Sequence, residues 1–97
     1  MAYEFYLKFE APVEVCKKHS QEMIDNYYDR NPGGRRKISL GKLKNIPRIN
    51  PDPVFGNLAW FDVNKTKKGY QAGTTGHDEP LIIIDSNRGV FYYMLMD

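Results

Sequence analysis

Two β-forming runs, Leu81–Asp85 (LIIID) and Val90–Met96 (VFYYMLM), lie four residues apart. The spacer Ser86-Asn87-Arg88-Gly89 contains Asn and Gly, which tolerate the backbone angles of tight turns. The pair reads as a β-hairpin, and any fold of this chain has to accommodate it. Tyr3–Glu10 adds a further strand. There Tyr3, Phe5, Leu7 and Phe9 alternate with Glu4, Tyr6, Lys8 and Glu10, the period of a half-buried strand.

Ala11-Pro12 ends that strand, and Pro12 suits a first helical position, where a missing N–H costs nothing. From Val13 to Tyr28 the apolar spacing is helical. Cys16, Met23 and Tyr27 form one ridge, with Val13, Ser20, Ile24 and Tyr28 beside it. Lys17, Lys18, Glu22, Asp25 and Asp29 occupy the outer side. Asn31-Pro32-Gly33 stops the helix, because proline disfavours the helical conformation of the residue before it.

Between helix and hairpin the pattern is less regular. Ile38 and Leu40 alternate with Lys37 and Ser39, which suits a short strand, with Gly41 as a bulge or bend. Leu43 and Ile46 suit a second short strand or a helical turn. Asn45–Gly56 reads as irregular, since three prolines remove backbone donors at close intervals. Asn57–Val63 reads as a central strand, with Leu58, Trp60 and Asp62 on one face and Ala59, Phe61 and Val63 on the other. Asn64–Pro80 is long for a loop and has room for a short strand at Gly69–Ala72. Its bases Lys65, Lys67 and Lys68 read as a solvated turn.

The expected fold is α+β: one helix packed on a four- to five-stranded, mainly antiparallel sheet, in the order β-α-(β)-β-β-β. Residues 1–97 make one domain, because a second core does not fit in 97 residues. The expected terminal strand, Val90–Met96, is a candidate exposed edge through which a homodimer pairs.

Charge is concentrated in the middle of the chain. Arg30, Arg35, Arg36, Lys37, Lys42, Lys44 and Arg48 are half of the 14 bases, and no acid falls between Asp29 and Asp52. This Pro/Gly-rich connector spans residues 30–56. The net charge of +2 is too small to imply nucleic acid by itself. The single cysteine excludes an internal disulfide and a cysteine-based zinc cluster. The N-terminus lacks the basic start and continuous apolar run of a signal peptide, and Ala2 stands where N-myristoylation needs glycine. No apolar run reaches the length of a membrane span. The expectation is a cytoplasmic protein with no membrane association, no metal and no cofactor.

The candidate binding site centres on the turn Gly33, Gly34, Arg35, Arg36 and Lys37. Glycine-rich backbone turns its N–H groups inward, and guanidinium forks beside it suit a phosphate or carboxylate. Tyr6, Tyr92 and Tyr93 are expected to supply apolar contact area, with Tyr6 and one of the other two pointing outward. His77 lies in the hydroxyl-rich loop Gly73–Asp78, where a pH-sensitive contact or a general base is conceivable. His19 falls near the apolar edge of the helix, and Cys16 reads as a buried, inert thiol.

These features lead to one principal reading and two alternatives. The principal reading is a small non-enzymatic binding protein, an inhibitor or sequestering protein of microbial or viral origin, immunity- or anti-defence-like. It engages a protein or a phosphate-bearing ligand. The first alternative is a nucleic-acid-binding protein with the basic segment on the backbone. The second is a small metal-independent ribonuclease or toxin domain using His19 or His77.

Overall fold

The computed structural model describes residues 4–30, 38–44, 60–73 and 80–96. In chain order it contains β1 (Glu4–Glu10), α1 (Val13–Arg30), β2 (Gly41–Lys42), a 3-10 turn (Val63–Lys65), β3 (Gly69–Ala72), β4 (Leu81–Asp85) and β5 (Val90–Met96). All strand pairs are antiparallel, and the sheet order is β1-β5-β4-β3-β2. The fold is α+β, with α1 packed on one face of a five-stranded sheet.

The hairpin forms with the expected bounds. Its turn is held from within: the Asp85 carboxylate accepts the backbone N–H groups of Asn87 and Arg88 at 2.9 and 3.0 Å. Gly89 closes it with φ +65, and a Cβ there would meet the Ala11 carbonyl oxygen at 2.8 Å. Glycine satisfies both the positive φ and the close approach.

All five residues of β4 are buried, and both faces are covered. On one face, Ile82, Ile84 and Phe91 meet Cys16 and Ile24 of α1, with Leu7 and Phe9 of β1 at the margin. Ser20 fits this buried helix stripe because its hydroxyl donates back to the Cys16 carbonyl at 2.7 Å. On the other face, Leu81, Ile83, Val90, Tyr92 and Met94 pack under Phe61 and Val63.

That second cover corrects the expectation for Asn57–Val63. Residues 57–59 lie outside the described residues, but Trp60–Val63 is not a strand. Phe61 and Val63 are buried while Trp60 is exposed. Their alternation belongs to a segment lying across the sheet rather than to a strand within it. Without this cover, the apolar second face of β4 and β5 would meet water.

Two further expectations are revised. Val90–Met96 is not an edge: it pairs with β1 on one side and β4 on the other. Phe91 and Tyr92 are both buried, which suits an interior strand, whereas β1, with Leu7 and Phe9 partly buried and Phe5 exposed, takes the edge. The short strand in the basic connector forms at Gly41–Lys42 rather than at Ile38–Leu40. Ile38 and Leu40 pack against the helix-side core. The strand expected at Gly69–Ala72 is present as β3. It ends at Gly73, whose φ is +81 and whose carbonyl-crowded position leaves no room for a Cβ beside Pro80.

Thr66 is fully buried at the end of the covering segment. Its N–H donates to the Val63 carbonyl, but its hydroxyl has no hydrogen-bond partner among the described residues. A buried orphan hydroxyl is unfavourable. Thr66→Val preserves the shape and removes it, so stability should rise by about 1 kcal/mol. The midpoint of urea unfolding reads this directly.

Candidate functional site

The densest polar cluster lies on the face of the sheet away from α1. Its centre is Asp62, at the start of the covering segment. Lys8 of β1 donates from Nζ to Asp62 Oδ1 at 2.8 Å and to the Trp60 carbonyl at 3.0 Å. The Tyr92 hydroxyl of β5 donates to the same Oδ1 at 2.7 Å. Arg88, in the hairpin turn, donates to Asp62 Oδ2 at 3.2 Å, to Asp85 Oδ2 at 2.6 Å and to the Tyr92 hydroxyl at 2.7 Å.

The register explains the convergence. Lys8 stands opposite Tyr92 in the β1–β5 ladder, so both project from the same face. Asp85 orders the turn that carries Arg88. Asp62 then drops onto the three of them as Phe61 and Val63 enter the core on either side.

The electrostatics follow from this geometry. Burial opposes ionisation of Asp62, but hydrogen bonds from Lys8, Tyr92 and Arg88 outweigh it and hold its carboxyl well below the usual range. Burial, followed by the bond to the Asp62 carboxylate, pushes the Tyr92 phenol up. The bond to Asp85 raises Arg88 further, against the opposing effect of its burial. Near neutrality the cluster is therefore Asp62 anion, Tyr92 phenol and Arg88 cation. The Asp62 anion already accepts from three donors, and the Tyr92 proton is held toward Asp62. Neither group is set up to exchange a proton with a substrate at neutral pH. The cluster works as a latch that fastens the covering segment to β1, β5 and the hairpin turn.

The other sequence candidates are dispersed. Gly33, Gly34, Arg35, Arg36, Lys37 and His77 lie outside the described residues. Tyr92 does not offer contact area as expected; it is 1% exposed, with its hydroxyl inside the latch. Tyr6 is half-buried with its ring edge-on to Phe61 at 4.9 Å, and Tyr93 is half-buried against Phe5 at 5.9 Å. His19 packs edge-on between Phe9 and Phe91, each at 5.2 Å. Cys16 is buried on the sheet-facing side of α1, and burial pushes its thiol up despite an opposing backbone hydrogen bond. Among the described residues, no group of three His, Cys, Asp or Glu gathers to hold a metal ion. No described helix is long and apolar enough to cross a membrane.

The described part of the basic connector forms a second feature, at the β2 edge of the sheet. Gly41 and Lys42 pair with Gln71 and Tyr70, and the Leu43 N–H donates to the Gly69 carbonyl at 2.9 Å. This carries Lys44 towards the turn holding Lys67 and Lys68. All four lysines are exposed and form no ion pair among the described residues. Beside them is an open depression of about 250 Å³ lined by Ser39, Gly41, Lys42, Lys44, Gln71, Ala72 and Gly73. On the helix side, Lys17 sits 4.6 Å from the Tyr70 ring centroid, adding a fifth cation near this edge.

Sequence reasoning missed the latch and the alignment of Lys42 and Lys44 with Lys67 and Lys68. An acid within the apolar run Trp60-Phe61-Asp62-Val63 is a usable signal for the latch, but its partners come from strands far apart in sequence. The rim has no local signal, because only β2–β3 pairing joins its halves. No protein-family model, curated protein or solved structure matches this chain.

The latch makes stability dependent on acid. The Asp62 carboxyl titrates lower in the folded state than the ~3.9 of an unfolded aspartate, so its contribution is complete above that value and is lost as pH falls further. Asp62→Asn should cost about 2 kcal/mol at pH 7. The variant should also show a flatter stability profile than wild type below about pH 4. Urea unfolding from pH 7 to pH 2 measures both effects.

Proposed function

We propose that this chain is a small non-enzymatic binding protein that inhibits or sequesters an acidic protein partner by covering it with the β2 edge of its sheet. The observation carrying the proposal is the rim of Lys42, Lys44, Lys67 and Lys68, four exposed cations without described carboxylate partners. The main acids of the opposite face, Asp62 and Asp85, are occupied inside the latch. Unpaired charge of one sign at a protein edge attracts and orients a partner of the other sign. Comparison with immunity and anti-defence proteins of microbes and viruses rests on small size and composition alone.

A protein partner suits the rim better than single-stranded nucleic acid. Binding of that kind combines cations with aromatic platforms on which bases stack. Here Tyr92 is buried, Tyr70 beside the rim packs against the helix-side core under Lys17, and Tyr6 lies on β1, the opposite edge from β2. Four strand spacings separate those edges, about 19 Å. The ribonuclease reading lacks support at His19, which is held among aromatic rings.

The test uses the chain as bait in a native lysate of its source cells, with and without nuclease. Wild type should retain an acidic protein whether or not nuclease is added. Charge reversal by Lys42→Glu with Lys44→Glu should lower retention at least tenfold, since both lysines are exposed and their replacement leaves the core intact. Retention lost on nuclease treatment favours the nucleic-acid reading, and equal retention by the reversed variant removes the rim from the function.

A further inference from the structure

We infer that this chain forms a two-fold homodimer by pairing β1 with β1 of a second copy. β1 is an edge of the sheet, and no described strand pairs with its outer side. Its main chain is set up to accept one. The Ala11 N–H donates to the Gly89 carbonyl at 2.9 Å, one step beyond the Glu10–Val90 pair of the β1–β5 register. In an antiparallel ladder, directly opposite residues exchange hydrogen bonds at every second position. Phe9, Leu7 and Phe5 therefore bond toward β5, and Glu4, Tyr6, Lys8 and Glu10 turn their N–H and C=O groups to the open edge.

The usual guards of an exposed edge are missing from β1. Its register with β5 runs without a bulge, and the strand contains no proline. Its one lysine, Lys8, has its charge committed to Asp62. The exposed large apolar side chains of the described residues, Phe5, Val15 and Trp60, all flank this edge. Phe5 lies on β1 itself. Trp60 is tied to one face of β1 by the Lys8 bond to its carbonyl at 3.0 Å. Val15 lies one turn before His19 on the same side of α1, and His19 packs on Phe9 of β1. Apolar groups gathered along an unpaired strand mark an interaction site, whereas scattered single ones do not.

The strand also matches itself. A two-fold antiparallel pair sets outward groups against outward groups, so its axis passes at a residue and not between two. Centred on Leu7, the pair sets Glu4 against Glu10, and like charges directly opposite are unfavourable. Centred on Lys8, it sets Phe5 against Ala11, beyond the end of the strand. Centred on Tyr6, it sets Phe5 against Leu7, Tyr6 against Tyr6 and Glu4 against Lys8, with no like charges opposed. That is the register of the dimer. The acidic partner proposed above is drawn to the other edge, so β1 stays open to the second copy. The dimer is then one continuous sheet with a basic β2 edge at each end.

Sedimentation equilibrium of the whole chain across concentration, paired with residue-resolved amide exchange, tests the pairing. The dimer should dissociate on the order of 10 µM, the range of interfaces below standard size. In dilute monomer the Leu7 and Phe9 amides should exchange slowly and those of Tyr6 and Lys8 quickly. In the dimer, Tyr6 and Lys8 should slow as well. Phe5→Lys should weaken the dimer at least tenfold. Glu10→Lys relieves a clash with Glu4 only in the Leu7-centred register, so it should leave the affinity unchanged. Both residues are exposed, and slow exchange at Leu7 and Phe9 reports that each variant stays folded. A chain still monomeric at about 1 mM overturns the inference. So does a dimer in which Tyr6 and Lys8 exchange as fast as in the monomer, or full affinity in Phe5→Lys. Tighter association by Glu10→Lys overturns the Tyr6-centred register.

Discussion

Burial of β4 on both faces is the constraint from which the other features follow. A strand reading Leu-Ile-Ile-Ile has no polar face to turn toward water, so the sheet needs two covers. The amphipathic helix supplies one. The second comes from an irregular segment whose apolar anchors among the described residues are Phe61 and Val63. Anchors on an irregular backbone have no ladder of strand hydrogen bonds to hold them in place. The Asp62 latch adds directional bonds to that apolar contact, and it ties the cover to β1, β5 and the hairpin turn at once.

This division of labour bears on function. A cluster containing Lys, Arg, Tyr and Asp within hydrogen-bond distance resembles the parts list of an active site. Its charges are matched internally and its donors already have acceptors, as in a structural network that specifies one arrangement. A group of lysines without described partners sits at the far edge of the sheet, where β2 is only two residues long and exposed. Short, lysine-bearing edges resist indiscriminate strand pairing. The same lysines leave that edge available to a partner of opposite charge.

Much of the fold was legible in the residues. The alternation of Phe5, Leu7 and Phe9 marks β1, the helical spacing from Val13 to Tyr28 marks α1, and the Asn-Arg-Gly turn marks the hairpin; the buried stripe of α1 is Cys16, Ser20 and Ile24 rather than the ridge of Cys16, Met23 and Tyr27. Neighbour relations were not legible, because they depend on which strand pairs with which. The last strand in the chain reads as an edge from sequence alone, whereas β1 pairs along its full length. Phe61 and Val63 alternate in the same way whether they sit in a sheet or on top of one. Tyr92 carries the side chain of an interface residue, yet its partners Asp62 and Arg88 make burial favourable. For the site, local charge density pointed to the connector, but pairing across β2 and β3 was needed to bring Lys42 and Lys44 alongside Lys67 and Lys68.

The latch lies at one end of the sheet and the proposed recognition edge at the other. Amide hydrogen exchange of the chain, free and bound to the protein it captures, separates the two most directly. The predicted result is added protection across Ser39–Lys44 and Lys67–Gln71, with exchange around Lys8, Asp62 and Arg88 unchanged. Added protection at Asp62 and Arg88 with none along β2 would contradict it.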